Sequence, residues 1–222
     1  MLGKTMKHRT NAALYSYWNS VRAERIAPQR FEIDPSRISA ILPYTFILEQ
    51  VDAQTLRFRL AGTRMCDIFG NELRGTNFLD GWTLKDRFAL LRQVSVLTGQ
   101  GAVVGLSVQL ATAFGEKVEC EVLLLPLLHT GRTINRVLGS MAPLSTPVWL
   151  ADAPIASKSL IKSEVLWPTR NASATEAPAA DAREPDVMRE RPARIVRSQR
   201  RQFRVVDGGL SLNDGLTDRD ES

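Results

Sequence analysis

The 222-residue chain has only two cysteines, Cys66 and Cys120, and only two histidines, His8 and His129. The cysteines are far apart, in no CxxC pair and with no histidine near either, which argues against a disulfide framework and a zinc site and leaves two core-type thiols. His8 falls in a start expected to fray, and His129 in an expected turn, so both read as solvated. No serine sits in a GxSxG elbow and no carboxylate pair shares a helix face. Gly99-Gln100-Gly101 lacks the later glycines and the lysine of a phosphate-binding loop. The sequence is therefore read as non-catalytic. Long apolar runs are missing too. The longest, 122–128, is broken by Pro126 and falls far short of the roughly 18 residues of a membrane helix. The basic start lacks the apolar core and cleavage site of an export signal. The expectation is an unexported, cytoplasmic protein.

Hydrophobic residues make up 44% of the chain, enough for one core, and charged residues 24%. The net charge of +5 is local in origin. Six arginines fall within 191–204 with no acid among them, and residues 205–222 then turn acidic. Residues 169–190 are rich in Ala, Pro, Thr, Ser and Glu and hold no aromatic residue, so they cannot bury enough apolar surface to offset their ordering entropy. The expected organisation is an N-terminal amphipathic helix in 1–29, a folded domain in 30–150, a linker in 151–190, and an arginine-rich, then acidic, disordered tail in 191–222.

Periodicity supplies the elements. Residues 11–27 predict a helix, with Leu14, Tyr17, Trp18 and Val21 on one face, Asn11 as its cap and Pro28 as its stop. Asp34-Pro35 opens a short second helix that buries Ile38, Ile41 and Leu42. Residues 44–51 and 56–60 predict two strands. In the second, Leu56, Phe58 and Leu60 alternate with Arg57 and Arg59, and a short polar link makes a hairpin. Thr63 is expected to cap a short helix running through Phe69 and ended by Gly70-Asn71, and 75–82 reads as a loop with a short turn. A longer helix over 83–98 is expected to face Leu84, Phe88 and Leu91 inward, with Val94 and Val96. Three strands follow, around 104–110, 118–124 and 133–141, the first two joined through Phe114-Gly115-Glu116. Trp149-Leu150 is expected to pack back on the sheet. The strands early and late in the chain must share one antiparallel sheet, with the helical middle crossing one face and enclosing a small apolar space.

With these elements in place, the chain resembles the PAS-domain proteins, in particular a stand-alone bacterial subgroup with a helix before the domain. The resemblance rests on Tyr17-Trp18, Ile33-Asp34-Pro35 with Ile38 and Leu42-Pro43, Phe58 to Thr63 (FRLAGT), Phe69-Gly70 with Glu72-Leu73 and Gly75, Glu121 to Leu127 (EVLLLPL), and Leu138-Gly139. It spans about residues 10–150. It implies an α+β fold, a five-stranded antiparallel sheet with helices on one face, and a sensory or docking role in signalling, without naming a ligand. A haem-binding member would need a histidine on the helix before the third strand, and 83–98 contains none. A flavin photosensor would need a cysteine in an Asn-Cys-Arg-like context, and Thr63-Arg64-Met65-Cys66-Asp67 departs from it. No cofactor is expected, and an unidentified small ligand stays open.

Candidate pocket walls are Phe58, Met65, Phe69, Phe78, Leu91 and Leu106, which would otherwise simply fill the core. The stripe of Leu14, Tyr17, Trp18 and Val21 is a candidate homodimer or partner interface, and it would serve equally well to pack on the chain's own sheet. The basic tail, with Arg194, Arg197, Arg200, Arg201 and Arg204, could attract phosphates and so offers a second function, a nucleic-acid-associated regulator. No nucleic-acid module accompanies it, so nucleic acid is the disfavoured partner and an unidentified signalling protein the favoured one. No metal site is expected.

Overall fold

In the computed structural model, residues 6–129, 131 and 133–168 are described. They form α1 (Arg9–Arg22), three short 3-10 turns (Arg30–Glu32, Pro35–Ile38, Leu42–Tyr44), β1 (Thr45–Asp52), β2 (Thr55–Ala61), α2 (Thr63–Phe69), α3 (Leu84–Gln100), β3 (Val103–Thr112), β4 (Lys117–Leu128), β5 (Ile134–Pro143) and β6 (Ile155–Leu166). The strands make one antiparallel sheet in the order β2-β1-β5-β4-β3-β6. Hairpins join β1 to β2 and β3 to β4, as the short polar links predict, and the first and last strand groups meet where β1 pairs with β5.

The expected five strands become six. The sixth, β6, lies inside the segment 151–190 that reads as linker, and it pairs with β3 along almost its whole length. Its signal is hidden by two bulges. Leu106↔Ser163 and Ser107↔Lys162 are followed by Val108↔Leu160, which leaves Ile161 extra, and Ala111↔Ser157 by Thr112↔Ile155, which leaves Ala156 extra. Each bulge reverses which parity of residues faces the core, so no simple alternation survives. The rest of the expected linker, from residue 169, and the tail lie outside the described residues.

Both faces of the sheet are covered. One carries α2, α3 and the 71–82 connection over Phe46, Leu48, Val122 and Leu124. The other carries α1 and the 3-10 turns over Ile47, Leu123, Leu125, Leu127 and Leu138. This double cover explains the unbroken apolar run in β4, where odd and even positions feed different cores. Pro126 is tolerated there because it lies past the end of the β3 pairing, and its carbonyl oxygen accepts a hydrogen bond from Trp18 Nε1 at 2.9 Å.

The amphipathic stripe of α1 packs on its own sheet. Leu14 and Trp18 are wholly buried, Tyr17 nearly so, and Val21 packs at the edge. The helix is shifted from its expected bounds. His8, not Asn11, caps it, with its Nδ1 accepting from the Thr10 N–H at 3.1 Å. His8 is thus a docked cap, and burial lowers its pKa. Asn11 is buried inside the helix. Its amide donates to the Glu121 carbonyl and carboxylate, and its Oδ1 accepts from Ser140 Oγ. The helix ends at Arg22, ahead of Pro28, with Ala23 turning to a φ of 53°.

Two phases also differ. On α3 the buried face is Leu90, Val94 and Leu97, whereas Leu84 and Phe88 are 75% and 66% exposed. The helix carries two apolar stripes, and packing on the sheet selects the later one. On β2, Leu48 faces Phe58 and Ile47 faces Leu60, so Arg59 is an extra residue. That bulge turns Leu60 to the α1 side of the sheet, half exposed, instead of continuing the face of Leu56 and Phe58.

Candidate functional site

The sheet and the 71–82 connection enclose a cavity of about 270 Å³, close to the lower end of the roughly 300–1,000 Å³ typical of small-molecule sites. Its floor is Phe46 of β1, Phe58 of β2, Val108 and Leu110 of β3, Val122 of β4 and Met141 of β5. Its roof is Met65 and Phe69 of α2, then Phe78 and Trp82 from the connection. Local sequence holds this roof in place. Gly70 ends α2 in the left-handed conformation. The connection then runs beside β2 like a partial strand. Phe58 N–H donates to the Thr76 carbonyl at 2.9 Å, Phe78 N–H to the Leu56 carbonyl at 2.7 Å, and Leu56 N–H to Asn77 Oδ1 at 3.0 Å. The segment read as loop therefore also shields the outer edge of β2.

The aromatic rings are in mutual contact. Phe46 lies edge-on to Phe58 at 5.6 Å and stacked on Phe78 at 6.1 Å, and Phe78 is 6.1 Å from Trp82. Phe46 has room because Gly139 is directly across on β5, where a Cβ would overlap its ring. Trp82 Nε1 donates to the Phe78 carbonyl at 2.9 Å and fixes the end of the roof.

Of the six candidate wall residues, Phe58, Met65, Phe69 and Phe78 line this cavity. Leu106 is buried in the same core but outside the lining, and Leu91 packs half-buried at its periphery. Sequence reading missed Phe46, Met141 and Lys158 as wall residues. For Phe46 the signal was available, since its parity in β1 places it on the Phe58 face. Lys158 could not be found without β6.

Among the lining residues the charged ones are Asp80 and Lys158. Lys158 reaches in from β6 and donates from Nζ to the Asp80 carbonyl oxygen. The ammonium lies 5.3 Å from the Trp82 ring centre and 5.8 Å from that of Phe69. Burial pushes its pKa down to about 8, against the opposing pull of the Asp80 charge. The lining contains no cysteine or histidine, so neither a haem iron nor a flavin–cysteine adduct would find a ligand in it. Cys66 sits outside the lining with its Sγ 3.8 Å from Glu72 Oε1. Cys120 is fully buried in the sheet, which raises its thiol to about 12. His129 is exposed at the end of β4. No group of three or more potential metal ligands occurs among the described residues, and none of their helices is long and apolar enough to cross a membrane. The tail arginines Arg194, Arg197, Arg200, Arg201 and Arg204 lie outside the described residues.

No curated protein matches the chain. Among solved structures, it is similar to a Rhodobacter sphaeroides LOV protein, with a TM-score of 0.39 and 13% identity over 52% of this chain and 71% of the other. It is also similar to a variant of RsLOV, with a TM-score of 0.36 and 15% identity over 50% and 65%. A family model described as a PAS domain matches residues 6–142, which takes in α1 and the chain through all but the last residue of β5 and leaves β6 outside. By that match the chain belongs to the PAS-domain family.

Proposed function

We propose that this PAS domain is a non-catalytic sensory and protein-interaction module, a regulatory adaptor of bacterial type. It takes a small ligand in the aromatic cavity and passes the change on through contacts with a second copy and with a signalling protein. The observation that carries this reading is the cavity itself, roofed by a seven-residue helix and an irregular connection while the sheet forms the floor. A ligand shifts such a domain only by its differential affinity for two arrangements, and α2, which unlike the connection is not bonded along β2, is the part of the roof free to differ without breaking that pairing. The roof continues directly into α3, whose first two turns expose Leu84 and Phe88. Scattered apolar residues are common on surfaces, but this pair adjoins Trp82 and suits a contact that reads the roof. With Leu14, Tyr17 and Trp18 inside, a homodimer would use other surface, including the outer side of α1.

Native mass spectrometry of the full-length protein tests the proposal. The expected result is a dimer carrying a small-molecule mass that is lost on denaturation. A monomer that carries nothing, and that no compound in a small apolar library stabilises thermally, would contradict it.

A further inference from the structure

We propose that the cavity selects small carboxylic acids, whose apolar body enters among Phe46, Phe58 and Phe78 and whose carboxylate meets the ammonium of Lys158. This rests on the ligand-binding reading above and names the chemistry of the ligand. Three observations carry it. First, the wall is apolar and aromatic over most of its area, with Lys158 its one cation. Second, the lysine ammonium is fixed at one end of the cavity by neighbouring groups. Its Nζ lies over Trp82 and Phe69, and its stem packs on Gly81, where a Cβ would sit 3.2 Å from the lysine Cε. Gly81 itself has a φ of 72°, so the turn that receives the lysine requires glycine. Third, the ammonium is under-satisfied. Its hydrogen bond goes to a backbone carbonyl of Asp80, and among the described residues it forms no ion pair with any carboxylate.

A half-buried ammonium with one neutral acceptor has donors left for a ligand, and an anionic oxygen is the acceptor that best offsets its desolvation. Asp80 opposes an anion at that end, so the selection depends on direct contact with Nζ and not on a general positive field. A neutral alcohol of the same shape would fill the apolar part and give up the charged contact. An amine would be repelled. The lysine comes from β6, beyond the segment that matches the family, so this specificity belongs to the extension carried by this chain.

Calorimetric titration of the full-length protein with phenylbutyrate and phenylbutanol, and with octanoate and octanol, tests the inference. Each acid is expected to bind roughly tenfold more tightly than its alcohol, because the contact is charge-assisted. In Lys158→Met that preference is expected to vanish while the alcohols bind as before. Lys158→Gln, also checked for an unchanged unfolding midpoint, guards against a folding defect of the first variant. Equal binding of acid and alcohol to the unaltered protein, or a preference that survives both substitutions, overturns the role of Lys158 and leaves the cavity reading standing. Failure of all four probes to bind at millimolar concentration overturns both.

Discussion

Trp18→Ala is expected to destabilise the domain by about 3–5 kcal/mol, read as a fall in the urea midpoint at an unchanged slope. Trp18 is wholly buried between α1 and the β4–β5 face. Its removal leaves a cavity that the sheet beneath cannot close, since the same strands are packed from the other side. It also leaves the Pro126 carbonyl without its donor and Arg22 without the ring it covers at 5.4 Å. Against a usual total of about 5–15 kcal/mol, that loss brings the domain near unfolding. Trp18→Phe should keep most of the packing and lose mainly the hydrogen bond. Val21→Ala, at the edge of the stripe, should cost far less. Equal effects for Trp18→Ala and Val21→Ala would mean that α1 is not docked on the sheet.

Gly62→Ala should cost about 3 kcal/mol, at the upper end of overpacking. A Cβ there would fall inside the shells of the Leu42 and Pro43 carbonyl groups, which are backbone and cannot rotate away. Gly62 N–H also donates to the Thr45 carbonyl at 2.8 Å, so the position pins the start of β1 to the start of α2. Gly99→Ala is the control. It lies in α3 with open space around its Cα, so alanine should stabilise by about 0.5–1 kcal/mol through helix propensity. Thermal unfolding of the two variants checks both signs, and a neutral Gly62→Ala would contradict the close approach.

The contrast between these positions mirrors what could be read from residues alone. Elements with one clean signal were legible: the alternation of β3 and β4, the Asp34-Pro35 turn with Asp34 Oδ1 accepting from the Ser36 N–H, and α2 between Thr63 and Gly70. Where two signals compete, tertiary packing decides. α3 offers the Leu84–Phe88–Leu91 stripe and the Leu90–Val94–Leu97 stripe, and only the sheet chooses between them. Bulges at Arg59, Ala156 and Ile161 reverse parity within a strand, which misplaces Leu60 and conceals β6. A weaker sign of β6 was present. Residues 155–166 contain Ile155, Leu160, Ile161, Val165 and Leu166 and neither proline nor glycine, unlike the segment after them. The aromatic part of the cavity was visible as Phe58, Phe69 and Phe78. Its polar end was not, because Lys158 is brought there by a strand pairing with Leu110 of β3, far away in the sequence.

Methionine methyl NMR offers the most direct test of the ligand cavity. Met65 and Met141 both line it, whereas Met6 packs against the core on the α1 side of the sheet. With carbon-labelled methionine methyls, titrating phenylbutyrate should move the Met65 and Met141 signals together, with one dissociation constant, and leave Met6 in place. Binding that shifts Met6 alone, or that leaves both cavity methyls unmoved, would contradict the account.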